Sequence, residues 1–303
     1  MANVINYAQD FLPFLIQMYE SDMRSYGLTL SNPQVQWVNA RTINIPNMVL
    51  SGYKDHSRQG LFNQGSVKNT YTPYTLDHDR DIEFRFDAMD VDETNLAVSV
   101  ANIQATFEKE QAIPEKDSYR FSKLFADFVE LGGTVDTTTI TVENALSWFD
   151  TQMEAMDDNG VPEEGRILYL TPALYKVFKE ADGLTRVMHV DGAGNKALSR
   201  KIYDLDDVEL VKVPKARFKT AYDFTDGCVA ADDADQINAI LIHPDSVVAR
   251  DRYEYIKMFS PGSDAYTGDD WVYQNRCYGD LFVLKARLAG IAINADGTGG
   301  VSA

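Results

Sequence analysis

A chain of 303 residues with 45% hydrophobic and 24% charged residues has the make-up of a soluble globular protein, long enough for about two domains. Its formal net charge of −18 argues against wrapping of nucleic acid, which needs clustered Lys and Arg, and against an anionic membrane surface. The two cysteines, Cys228 and Cys277, fit neither a disulfide framework nor a zinc spacing, and read as free thiols in a reducing cytoplasm.

The opening "MANVINYAQDFLPFLIQMYE" lacks the basic start and uninterrupted apolar core of a signal peptide. No apolar run approaches the ~18 residues of a transmembrane helix. Up to about Asn32 the chain is amphipathic, with Phe11, Leu12, Phe14, Leu15, Met18 and Tyr19 forming an apolar stripe at helical spacing and Pro13 near its start. Nothing nearby in sequence covers that stripe, so its own core and a neighbouring subunit are the two candidates.

Next, "TINIPNMVLSGY" alternates through Ile43 and Ile45 as a strand does. Residues 54–73, "KDHSRQGLFNQGSVKNTYTP", are polar, contain Gly60 and Gly65, and have no helical period. A second alternating run, "IEFRFD", sets Ile82, Phe84 and Phe86 against Glu83, Arg85 and Asp87. Two strands joined by a long polar excursion predict an extended hairpin arm, with "IEFRFD" as its returning strand. A loop of that length is unusual in a compact domain and points to function or to ordering by a partner.

The strongest helical pattern follows. Asp90 or Asp92 can cap it, Glu93 suits its positive end, and Leu96, Val100, Ile103 and Phe107 line one face. Pro114 is expected to kink or break the rod, after which Phe121, Leu124, Phe125 and Phe128 resume the face. The predicted rod runs from about Glu93 to Leu131 and ends at Gly132-Gly133. Thr141 is expected to cap a second helix carrying Val142, Leu146, Phe149, Met153 and Met156, which "DDNGVPEEG" closes. "RILYL" reads as a short buried strand. "TPALYKVFKEADG" starts a helix with Thr171 as cap and Pro172 first. Leu184 to Leu205 is expected to be a surface loop. "VELVKV", "INAILI", "VVAR", "DRYEYIKMF", "WVYQNRCYGDLFVL" and "GIAINA" are strand-like, and "DGTGGVSA" looks like a frayed tail. This order is α+β, with strand-rich material at both ends of a long helix and no regular βαβα alternation.

The densest carboxylate cluster is "LDHDRDIEFRFDAMDVDETN", residues 76–95. Asp77, Asp79 and Asp81 are hard oxygen ligands on alternate positions and could converge on Mg²⁺ or Ca²⁺. The cluster lacks the glycine and terminal glutamate of a calcium loop, and Arg80 and Arg85 offer ion-pair partners. A charged outer strand face leading into a helix cap is the better reading. His56, His189 and His243 stand alone, outside any H-x-x-x-H or H-E-x-x-H spacing. There is no G-x-S-x-G and no phosphate-binding loop, and "GAGNKAL" is too loose to count. No catalytic residue, cofactor or metal is expected. Aromatic residues at 11%, including 16 tyrosines, without basic clusters fit a protein that buries surface against its own copies.

Three stretches then carry a resemblance: "DRDIEFRFDAMDVDET" (79–94), "IPEKDSYRFSKL" (113–124) and "NGVPEEGRILYLTPALYKVFK" (159–179), with "RCYGDLFVLKARLAGI" near the end. In this order they resemble the major capsid proteins of tailed bacteriophages, in particular coat proteins of phages of Gram-positive hosts, which adopt the Hong Kong 97-type shell fold. The resemblance spans nearly the whole chain, although no single motif is a strict signature. It implies an N-terminal arm over 1–37, an extended hairpin loop over 38–87, and the spine helix with the start of the core over 88–158. An axial domain would follow over about 159–250, and the return to a peripheral domain over 251–303.

It also implies assembly of the chain with itself, through hexamers and pentamers, into an icosahedral virion shell formed in the host cytoplasm. That shell would enclose double-stranded DNA without sequence-specific binding, with a portal at one vertex and no membrane. No extra N-terminal domain precedes the arm, so a separate scaffolding protein is expected. Candidate contacts between subunits are Phe11, Phe14, Leu15, Tyr19, His56, Arg58, Phe62, Tyr71, Arg80 and Arg85. Two other readings compete with this one. They are an encapsulin-like nanocompartment shell and a carboxylate metal-dependent hydrolase centred on residues 77–93.

Overall fold

A computed structural model describes residues 22–29, 36–37, 42–56, 63–89, 100–181, 204–262 and 268–298. The nearly continuous apolar runs "ILYL" and "INAILI" become strands β5 (Ile167–Leu170) and β10 (Ile237–Ile242), buried along almost their whole length. An uninterrupted apolar strand calls for cover on both sides, and both sides are covered here. The strands lie centrally in a five-stranded sheet with β6 (Asp204–Leu205), β7 (Val208–Lys212) and β13 (Ile291–Ala295), in the order β13-β10-β5-β7-β6. Strands β5 and β7 pair in parallel, and the crossover between them contains α4 (Pro172–Glu180).

One face of this sheet, through Ile167, Tyr169, Ile240, Ile242 and Ile293, packs on Phe121, Leu124, Phe125 and Phe128. The other face, through Leu168, Leu170, Ala239 and Leu241, packs on α3 (Ala145–Asp158) and α4. Thr171 caps α4 as its position predicts, its hydroxyl accepting from the Leu174 amide at 3.3 Å. Thr141 does not cap α3. Asn144 stands at that end, its side chain accepting from the Thr141 amide at 2.6 Å and donating to the Thr139 carbonyl at 3.0 Å.

The long helix comprises α1 (Val100–Phe107), a wide π-helical turn (Glu108–Ala112) and α2 (Ile113–Glu130). Pro114 therefore neither breaks nor terminates the rod. The backbone is helical at Phe107, Ala112 and Ile113, and the π turn supplies the extra space that a proline ring needs against the preceding turn. The predicted start of the rod, including the caps at Asp90 and Asp92, lies outside the described residues. Its end is at the glycines: Gly132 adopts a φ of +92°, and the Gly133 amide donates to the Phe128 carbonyl at 2.8 Å.

Two further three-stranded sheets and a small ribbon of β8 (Tyr222–Asp223) and β9 (Val229–Ala230) complete the described strands. Strand β4 (His78–Asp87) pairs with β12 (Asp270–Val283), which pairs with β11 (Val247–Phe259), so "VVAR" and "DRYEYIKMF" form one strand bulged between Asp251 and Tyr253. Phe84, Tyr273 and Phe107 cluster where this sheet meets α1, with the Phe84 and Phe107 rings 5.5 Å apart. The third sheet is the arm: β1 (Gln36–Trp37), β2 (Thr42–Leu50) and β3 (Val67–Thr75), all antiparallel.

This corrects the expected hairpin. The strand returning from β2 is β3, inside the stretch read as a polar excursion, whereas "IEFRFD" joins β12 in another sheet. Strand β3 is exposed over nearly all of its length, so it carries no alternation for a reader of the sequence to find. Most of the expected loop 184–205 lies outside the described residues, but Leu205 at its end is in β6 and pairs with Val208.

Candidate assembly surface

The base of the β2–β3 hairpin is tied to the body. Ile43, Ile45 and Tyr74 pack with Leu76, Tyr278 and Phe282, and the Tyr74 and Phe282 rings lie 5.1 Å apart. Further out the apolar parity changes. Directly paired residues of an antiparallel ribbon share a face, and register Leu50↔Val67 with Met48↔Asn69 puts Met48, Leu50, Val67 and Tyr71 on the face opposite to Ile43 and Tyr74. These four side chains are 62%, 63%, 69% and 52% exposed. Tyr53, just beyond, is also fully exposed. A shift of one residue in the apolar pattern moves the side chains to the other face; Val49, on the Ile43 face, is exposed as well, so beyond its base the hairpin is uncovered on both faces.

The root of the arm is fixed by polar contacts to the spine. Asp117 is fully buried and accepts from the backbone amides of Arg24 (3.0 Å) and Ser25 (2.9 Å) and from the Arg217 guanidinium (3.3 Å). One turn on, Arg120 donates to the Ser25 hydroxyl at 3.2 Å and to Asp251 at 3.2 Å. Lys116 also reaches Asp251, at 2.6 Å. Burial pushes the Asp251 carboxyl up, but Arg120 and Lys116 together outweigh it and hold it below the usual carboxylate range.

The start of β4 is held by a second hub. Asp280 accepts from the Asp77 amide at 3.0 Å, the Leu281 amide at 2.8 Å and the Tyr119 hydroxyl at 2.7 Å. His78 stacks on Tyr119 with ring centroids 3.6 Å apart and meets the Phe224 edge at 5.7 Å. Burial, then the neighbouring Arg80 charge, lowers the His78 pKa to about 4, so the imidazole is neutral at neutral pH. Burial and the facing Asp280 carboxylate push the Tyr119 phenol well up.

Among the described carboxylates of 76–89, Asp79 and Glu83 are engaged in separate ion pairs and hydrogen bonds. Asp79 binds Arg276 through two bonds of 2.9 and 2.6 Å, and Glu83 takes Arg85 at 2.7 Å and Gln274 at 2.6 Å. Asp77 is outside the strand, at the Asp280 hub. Among the described residues no group of three or more His, Cys, Asp or Glu side chains is placed to hold a metal. Cys228 and Cys277 are free and half-buried, and no described helix is long and apolar enough to cross a membrane.

Of the expected contact residues, Tyr71 lies on the exposed apolar face and His56 is exposed in the stretch that follows β2. Arg80 is turned inward, bound to Glu115 at 2.6 Å and to the Phe224 carbonyl. Arg85 pairs with Glu83. Phe11, Phe14, Leu15, Tyr19, Arg58 and Phe62 lie outside the described residues. The hairpin residues Met48, Leu50 and Val67 were not among the expected contacts. Their signal was Met48 and Leu50, apolar at period two on the parity opposite to Ile43 and Ile45.

No family model matches the chain, and no curated protein matches it in sequence. Solved structures do. The capsid of cyanophage P-SCSP1u superposes with a TM-score of 0.66 at 15% identity, covering 95% of this chain and 92% of that one. The mature capsid of bacteriophage PhiM1 gives 0.62 at 14% identity, over 95% and 91%. A chain of Mycobacterium phage Che8 gives 0.56 at 15% identity, over 95% and 98%. The chain has the fold of a phage capsid subunit. This is the Hong Kong 97-type α+β shell fold, matched along almost the entire length of both partners.

Proposed function

We propose that the chain is the major capsid protein of a tailed bacteriophage, which assembles with itself through hexamers and pentamers into an icosahedral shell around double-stranded DNA. The observation that carries this reading is the shared fold over 95% of the chain with phage capsids. The exposed apolar face of the hairpin supports it, because monomeric soluble proteins seldom leave such a row uncovered. In this reading the N-terminal arm covers 1–37, the hairpin loop 38 to the end of β3 at 75, with β4 joining the peripheral sheet, the spine and start of the core 88–158, the axial domain about 159–250 and the peripheral return 251–303. A separate scaffolding protein directs closure, a portal occupies one vertex, and assembly takes place in the host cytoplasm. The similar structures come from phages, which favours a genome shell over a cargo compartment.

A subunit of net charge −18 repels packaged DNA and leaves it free for ejection. Individual contacts need only be weak, since a closed shell multiplies them. Electron microscopy of the purified protein, alone and co-expressed with its neighbouring scaffold gene, tests the proposal. Uniform closed shells are expected, and a persistent monomer under both conditions would refute it.

A further inference from the structure

Basic residues are not spread evenly through this acidic chain. The eight residues 212–219, "KVPKARFK", hold Lys212, Lys215, Arg217 and Lys219 and no carboxylate. A composition averaged over 303 residues conceals this cluster, and the fold adds to it. Parallel strands β5 and β7 end side by side, with Leu170 opposite Lys212 and the Val213 amide donating to the Leu170 carbonyl at 2.9 Å. Helix α4 starts at that same end of the sheet and brings Lys176 and Lys179 beside the cluster, with one carboxylate, Glu180, at its far end. The Lys212 and Lys179 ammoniums lie 4.9 and 5.7 Å from the centroid of a single ring, that of Tyr175.

Elsewhere the chain ties up its cations. Arg80, Lys116, Arg120, Arg166 and Arg276 each hold a carboxylate, and within the cluster Arg217 turns inward to Asp117. Lys176, Lys212 and Lys215 are exposed and Lys219 is half-buried, and none of the four meets a carboxylate among the described residues. Ammonium groups on flexible stems meet phosphate as point charges, so this end of the sheet suits a polyanion. What it lacks narrows the class. Among the described residues of 100–228 no large apolar side chain is exposed, whereas a protein interface has an apolar or aromatic centre. A nucleic-acid backbone needs none, because its phosphates are met by charge and hydrogen bonds.

We infer that this lysine cluster contacts the phosphodiester backbone of duplex DNA held inside the shell, without regard to sequence. The inference rests on the shell reading and adds a local exception to the repulsion between an acidic subunit and its genome. Four lysines are few, so each contact is weak and salt-sensitive, and the genome stays free to leave.

Formaldehyde cross-linking of DNA-filled particles, followed by nuclease digestion and mass-spectrometric mapping, tests it. Expected are nucleotide adducts on peptides carrying Lys176 or residues 212–219. They should fall about fivefold in particles of the Lys212→Gln, Lys215→Gln double variant, whose shells keep their form in electron micrographs. Adducts confined to other peptides overturn the inference and leave the shell reading intact. So does a double variant that folds normally by circular dichroism but closes no shells, since the cluster then serves a contact between subunits. Unaltered particles give an independent check. Acetic anhydride should modify Lys212 and Lys215 about threefold less in filled than in emptied particles, and equal modification refutes the contact. A chain that forms no closed particles overturns both readings.

Discussion

Three donors converge on Asp117, two of them the backbone amides of Arg24 and Ser25. Removing a carboxylate from such a site leaves the Arg217 charge and the amides of Arg24 and Ser25 short of an acceptor. Losing one partner of a buried pair costs about 3–5 kcal/mol, so Asp117→Ala should lower unfolding stability by that amount in urea titration. Asp117→Asn, which keeps an acceptor oxygen, should lose less. A loss below about 1 kcal/mol for the alanine variant would show that the arm root is held elsewhere. His78 makes a pH-dependent contribution. With a folded pKa lowered to about 4 from an ordinary 6.5, its packing is fully stabilising above pH 6.5. As pH falls from 6.5 to 4 the unfolded chain takes up a proton that the folded one refuses, so stability drops through that window and levels off below it. The size is on the order of 1–2 kcal/mol after discounting for partial exposure. His78→Phe keeps the stack on Tyr119 without the titration, so the difference in stability between the two proteins should shift in favour of Phe between pH 7 and pH 4.5. A constant difference would mean that His78 titrates like a free imidazole.

The hairpin is an element whose base and tip answer to different partners. Ile43 is wholly buried at the base, and Ile43→Ala removes three methyl(ene) groups from the small cluster with Tyr278 and Phe282. Such truncations cost about 2–5 kcal/mol, but here the cost should be local. Amide exchange in β2 and β3 should accelerate at least tenfold while β5 and β10 keep their protection. Uniform acceleration would mean that the arm folds as one unit with the body. The same base–tip division explains what sequence reasoning reached. The central strands were legible because burial on both faces leaves continuous apolar runs, and α4 because Thr171 and Pro172 mark its start. The spine was legible from Phe121, Leu124, Phe125 and Phe128. Strand β3 was not, since a strand with solvent on both sides has no period to betray it. The partner of β4 was not, since β12 lies far along the chain and nothing local encodes that pairing. The polar hubs at Asp117 and Asp280 escaped for the same reason: a lone Asp in a helical or strand pattern looks like surface until its distant donors are placed beside it.

Charge sets two opposing terms at the scale of the whole molecule. A net charge of −18 makes copies repel at long range, while the hairpin, with Lys54, Arg58 and Lys68 against Asp55, carries local positive charge that attracts acidic surface at contact. Salt acts on these over different distances. Raising ionic strength from 0.01 to 0.1 M shortens the screening length from about 30 to about 10 Å, which removes repulsion between subunit bodies and leaves most of a contact pair intact. Raising it further toward 1 M brings that length to about 3 Å, the scale of an ion pair itself, and exposed pairs then lose most of their modest value. Apolar contacts along Met48, Leu50, Val67 and Tyr71 do not weaken under these conditions. Particle formation followed by light scattering should therefore rise with salt, pass a maximum near 0.1–0.2 M and decline at higher concentration. With Lys54→Gln and Lys68→Gln the decline should vanish, leaving a monotonic rise to a lower plateau. A monotonic rise in the parent protein would mean that the apolar row alone governs association and that the basic residues of the hairpin serve only its solubility.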